Sequence, residues 1–84
     1  MEELFFKKGV VKVREWLKKL RKNRGITQQK IAEALEIAAS SYSMIETGLR
    51  QSKMTIEFAQ KLAHVLDVPI EYILEHENKN GQGV

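Results

Sequence analysis

Between Val10 and Leu74 the apolar residues recur in short stripes at helical spacing, and each stripe is cut by a glycine, a polar cap or the single proline, Pro69. That punctuation is the tightest constraint on the fold. Sustained alternation of apolar and polar residues is absent, so strands are not favoured. The first segment reads from Val10 to Arg24, with Val10, Val13, Leu17 and Leu20 as its stripe and Gly25 as its left-handed stop. The second runs from Gln28 to Leu35 behind the N-cap Thr27, with Ile31, Ala32 and Leu35 facing inward. The third runs from Ala39 to Thr47, with Tyr42 and Ile45 inward and Gly48 as its end. The fourth follows the N-cap Thr55 to Leu66, with Ile56, Ala59, Leu62, Ala63 and Leu66 as its core stripe. The fifth is short, Pro69 to Leu74, with proline where a missing N–H costs little. The expectation is an all-α domain of five helices around one core.

Composition narrows the chemistry. The 84 residues contain no cysteine, which removes disulfides, thiol nucleophiles and Cys-ligated zinc. The two histidines, His64 and His76, are far apart in sequence and do not make a metal site. No nucleophile–base set or glycine-rich phosphate loop is present, so neither an enzyme nor a cofactor is expected. No apolar run approaches the roughly 20 residues that span a bilayer. The first residues are acidic, and the run Leu4-Phe5-Phe6 is too short for a secretory signal, so the expected compartment is the cytoplasm.

Charge is polarised. Nine of the 14 basic residues lie between Lys7 and Arg24, opposed there only by Glu15, and the net charge is +3. Such a run is either a solvated helix face or the footprint of a polyanion.

Residues Gln28 to Thr47 have the grammar of a helix-turn-helix. A two-turn helix carries the small residue Ala32 at the crossing, a break at Glu36-Ile37-Ala38 follows, and a second short helix begins. Ile31, Leu35, Ile37, Tyr42 and Ile45 bury one side and leave the outer face of the second helix free. A short exposed helix held at a steep angle fits the major groove of DNA, about 12 Å wide.

These residues resemble the Cro/repressor-type, XRE-like helix-turn-helix family over roughly Val13 to Leu74. The pieces are Leu17-Lys18-Lys19-Leu20-Arg21 with Gly25-Ile26-Thr27-Gln28, then Ile31-Ala32-Glu33-Ala34-Leu35, then Tyr42-Ser43-Met44-Ile45-Glu46-Thr47-Gly48. Their order and spacing carry the resemblance, which implies a lambda-repressor-like five-helix domain. Two positions depart from the family pattern: Glu36 stands where glycine is usual, and Met54 where proline is usual.

The resemblance implies that Gln28 sits on a DNA phosphate at a helix N-terminus. It maps the base-facing positions to Ala39, Ser40, Ser43 and Met44. That set lacks the Arg, Asn and Gln that read guanine and adenine bidentately. Ala39 and Met44 suit thymine methyl groups, so shape must supply part of any specificity. The resemblance also implies that Arg21 pairs with Glu46 and fixes the recognition helix. In the loop that follows, Arg50, Gln51 and Lys53 are placed to reach phosphates. Arg24 is a further phosphate candidate. Trp16 and Tyr72 read as packing residues and His64 as a surface or dimer-edge residue.

Three stretches are expected: an N-terminal extension over 1–12, the helix-turn-helix domain over 13–75, and a disordered tail over 76–84. Lys8-Gly9-Val10 can be encoded by a purine-rich ribosome-binding sequence and Val13 by a GTG start, so residues 1–12 read as an upstream artefact of gene assignment. The alternative is a true extension whose Leu4, Phe5 and Phe6 pack on the domain or a partner. The functional expectation is a prokaryotic or phage transcriptional regulator, a repressor that binds double-stranded DNA at a two-fold operator as a homodimer. Val65, Val68, Ile70, Ile73 and Leu74 supply the expected dimer surface. No small-molecule substrate and no membrane partner are expected. The alternatives are an antitoxin that represses its own operon, and a protein-interaction module on the same fold without DNA binding.

Overall fold

A computed structural model describes residues 13–82, with side chains from Val13 to Asn78. Within them lie five helices and no strand: α1 (Glu15–Asn23), α2 (Gln28–Leu35), α3 (Ala39–Thr47), α4 (Ile56–Leu66) and α5 (Ile70–Gln82). The fold is all-α and lambda-repressor-like.

Local chemistry sets where each helix begins and ends. Thr27 and Thr55 accept from the backbone N–H groups of Lys30 and Phe58, each at 3.1 Å, and cap the starts of α2 and α4. The ends of α1 to α4 share one device. A residue at positive φ turns the chain: Gly25, Glu36, Gly48 and Asp67. The next residue then donates its N–H five residues back, as Ile26 to Arg21, Ile37 to Ala32, Leu49 to Met44 and Val68 to Ala63. Ile26, Ile37 and Val68 pack on the core, whereas Leu49 is exposed. Glu36, at φ 62°, occupies the left-handed region without the freedom of glycine, at a cost of about 1 kcal/mol.

The core joins Leu17 and Leu20 of α1, Ile31, Ala32 and Leu35 of α2, and Tyr42 and Ile45 of α3. Ala59, Leu62, Ala63 and Leu66 of α4 and Ile73 of α5 complete it. Successive helices bury their stripes against this one interior.

Several expectations are corrected. α1 starts at Glu15, not Val10; Val13 precedes it and is exposed, and Val10 lies outside the described residues. The buried face of α1 is Arg14, Leu17, Leu20 and Arg21, because Arg14 at the N-cap takes the place expected for Val13. Ile56, at the first helical position behind the Thr55 cap, is exposed rather than part of the α4 stripe. Ile73 is wholly buried in the core and is not part of an exposed dimer surface. The last helix does not stop at Leu74. It continues to Gln82 across most of the stretch expected to be a disordered tail, and Glu77 within it is held by Arg14. That tie is ionic, so no apolar period announced it. The extension over 1–12 lies outside the described residues.

Candidate nucleic-acid interface

α3 presents two unlike faces. Inward, Tyr42 and Ile45 are buried in the core, where α3 packs on α2 and α1, and Glu46 is 4% exposed. A carboxylate so deeply placed must be partnered. Arg21 Nε donates to its Oε2 at 2.6 Å, and Gln28 Nε2 donates to its Oε1 at 3.0 Å. Arg21 Nη1 also donates to the Ile26 carbonyl at 2.8 Å. One carboxylate thus ties α3 to both α1 and α2.

The electrostatics follow from burial and pairing. Burial opposes ionisation of Glu46, and the donors around it, Arg21 foremost, more than offset that and hold its carboxyl below the usual range. The hydrogen bond to Glu46 raises Arg21 further above its ordinary value, against the opposing effect of burial. Burial first, and then the neighbouring Glu46, push the Tyr42 phenol up. The pair is charged and the phenol neutral near pH 7.

Outward, Ala39, Ser40 and Met44 are exposed and Ser43 is half-buried. These four expected base-facing residues share a surface free of charge. The loop after α3 carries the exposed Arg50 and Lys53. Gln51, expected on a phosphate, has a left-handed backbone at φ 55°, and its side-chain Oε1 accepts from the Thr55 N–H at 3.2 Å. Arg24 is exposed and its Nη2 donates to the Asp67 carbonyl at the end of α4, 3.3 Å away. Gln28 has its amide on Glu46, neither extending the Thr27 cap nor wholly free.

One residue of this region was not singled out in the sequence. Arg14, only 3% exposed, donates from Nη1 to the carbonyls of Ile45 at 2.7 Å and Arg50 at 3.3 Å. Its Nη2 donates to the Gln51 carbonyl and, at 3.0 Å, to Glu77 Oε1. Its Nε donates to Glu77 Oε2 at 2.5 Å. The signal was present as spacing: Arg14 stands three residues before Leu17 and seven before Arg21, on the same helical face.

Among the described residues no His, Asp and Glu cluster is arranged to hold a metal ion, and no helix is long and apolar enough to cross a membrane.

A helix-turn-helix family model matches residues 17–73, and the chain belongs to this XRE-type helix-turn-helix family. It is similar to three Bacillus subtilis proteins. The first is the uncharacterized HTH-type transcriptional regulator YqaF, 41% identical over 44 residues that cover 52% of this chain and 58% of that one. The others are the uncharacterized HTH-type transcriptional regulator YqaE, 34% identical over 76% of this chain and 53% of that one, and the HTH-type transcriptional regulator SinR, 33% identical over 75% and 56%. The matches therefore span little more than half the length of these relatives. No solved structure matches the chain.

Proposed function

We propose that this chain is a DNA-binding transcriptional regulator of prokaryotic or phage type, which sets α3 in the major groove of double-stranded DNA. The single observation that carries the reading is the contrast across α3: an inner face fixed by Tyr42, Ile45 and Glu46, and an open outer face flanked by the exposed cations Arg50 and Lys53. The names of its relatives as transcriptional regulators support it.

Each element has a role in this reading. Ala39, Ser40, Ser43 and Met44 face the bases. Arg50 and Lys53 hold phosphates beyond the recognition helix and supply the salt-dependent part of the affinity. Gln28 bridges: an amide nitrogen carries two N–H donors, so one serves Glu46 and the other is available to a phosphate at the start of α2. So modest a reading face makes few base contacts. Two copies at half-sites about 34 Å apart double them, so the regulator acts as a homodimer on a two-fold operator. Where such a site overlaps a promoter its occupation blocks transcription, and repression is the mode of action in this reading. It works in the cytoplasm and needs no cofactor, substrate or catalytic step.

A second reading rests on the same outer face, which carries no Arg, Asn or Gln: a module that keeps the fold and binds protein. A gel shift of the full chain against genomic fragments at low salt separates the two. The DNA reading expects a shift that fades steeply with added salt. No shift at any salt concentration would leave only the protein-binding reading.

A further inference from the structure

Arg14 is spent in an unusual way for a member of a basic run. Its guanidinium has five N–H donors, and all five meet acceptors: two on the Glu77 carboxylate and one each on the carbonyls of Ile45, Arg50 and Gln51. Its own backbone N–H donates to the Glu46 carbonyl at 2.8 Å. Three parts of the molecule converge on this one side chain: the last turn of α3, the loop at Arg50 and Gln51, and, through Glu77, α5.

The loop needs such a support. Leu49 and Arg50 close onto the Met44 carbonyl, but Gln51 then turns into the left-handed region, which a glutamine does not favour. A backbone held there must be over-determined by its surroundings. Arg14 supplies the hold from inside and Gln51 Oε1 supplies it from the Thr55 side. Arg50, whose carbonyl is gripped, presents its side chain to solvent beside Lys53. Glu77 is needed in turn, since a cation as deeply placed as Arg14 is costly without a counter-charge.

From this the geometry points to Arg14 and Glu77 as positioning residues for DNA binding: the pair sets the loop over 49–53 in the shape that presents Arg50 and Lys53 to the phosphates, and neither member touches DNA. The role rests on the DNA-binding reading above. It makes α5, through Glu77, part of the reading apparatus.

The sign of one substitution tests it. Glu77→Gln removes a negative charge, so long-range electrostatics alone predicts tighter DNA binding. Loss of positioning predicts weaker binding. Glu75→Gln makes the same charge change at an exposed site on the same helix and serves as the control. Binding of the full chain to a shifted genomic fragment is measured across a salt series, well below the melting temperature, together with amide hydrogen exchange of the free protein. The expected result is that Glu77→Gln binds about tenfold more weakly, about what losing one charge-assisted contact costs. Its salt slope falls by up to about one phosphate contact, and the amides of Arg50 and Thr55 exchange faster. Glu75→Gln matches or slightly exceeds the wild type. A merely destabilised fold would not change the salt slope. If Glu77→Gln does not stay folded, Glu77→Asp carries the test at unchanged net charge, with weaker binding than wild type expected and equal binding overturning the role. Glu77→Gln tracking Glu75→Gln in affinity and slope, while the wild type binds, would overturn the positioning role alone. A wild-type chain that shifts no DNA would sink the DNA-binding reading, and the role with it.

Discussion

The two faces of α3 solve different problems. The inner face is specified to the atom: each carboxylate oxygen of Glu46 has its own donor, and Tyr42 and Ile45 leave almost no surface to water. The outer face is nearly blank, with two serines, an alanine and a methionine. Placement of the helix is therefore over-determined and recognition under-determined. In a helix-turn-helix protein the rigid side allows the sparse side to work, because a few weak contacts add up only if they arrive in register. Affinity should depend more on what holds the helix and its loop than on what the helix displays.

The largest effect should come from the inner face. Arg21→Ala leaves Glu46 buried without its cation and is expected to cost about 3 kcal/mol of stability. Lys18→Ala, one turn away and exposed, should stay within about 0.5 kcal/mol of wild type. Thermal melts of the two variants check this, and equal melting temperatures would dissolve the contrast between the faces.

The same pair should write itself into the acid response. The folded-state pKa of Glu46 is depressed, so its contribution to stability is fully present above the ordinary carboxylate value of 4.5 and is lost as pH falls through the lower folded value. Denaturant titrations of wild type and Glu46→Gln across pH 2 to about 6 should therefore converge at the acid end. A constant gap down to the lowest pH would mean that Glu46 is not ionised in the fold.

Smaller effects belong to the loop. Arg50→Ala and Lys53→Ala should weaken binding to all sequences alike and each lower the salt slope by about one. Slopes identical to wild type would remove the loop from the DNA surface.

The smallest effect tests the outer face itself. Met44→Ala should lose about 1 kcal/mol at a thymine-bearing step in each half-site and little elsewhere, since an apolar contact contributes only where the methyl is present. Replacing that thymine with uracil should mimic the variant, and the two changes together should cost no more than one. Met44 is 40% exposed, which leaves part of it to packing. Lower stability with unchanged base preference would assign it to packing alone.

How legible was this in the sequence? The helices of the motif were, because their cues are local: Thr27 and Thr55 cap, glycines and an apolar period close and orient. The start of α1 is not legible because Val13 continues an apolar period in the sequence yet is exposed, while Arg14 takes the buried place. The length of α5 was hidden for a related reason. Past Leu74 its sequence has no apolar stripe, and what fixes Glu77 is a charge 63 residues away. Ionic ties across such a separation leave no periodic trace. The same limit applies at the site: Gln51 and Arg24 are polar residues in suitable places, but whether a polar side chain turns to solvent or to a nearby backbone group is settled by tertiary geometry.

The repeated closure at the ends of α1 to α4 has a kinetic consequence. Each forms between residues five apart, and each helix packs on neighbours nearby in sequence, so this part of the molecule should assemble fast. The tie between Arg14 and Glu77 must bring together the two ends of the described chain and should form after the rate-limiting step. Glu77→Gln should then leave the folding rate nearly unchanged and accelerate unfolding. Stopped-flow rates in both directions test this, and a slowed folding arm would place the tie in the transition state. If it closes last, it is also the first to open, and the loop that carries Arg50 and Lys53 is released while the rest of the domain is still folded.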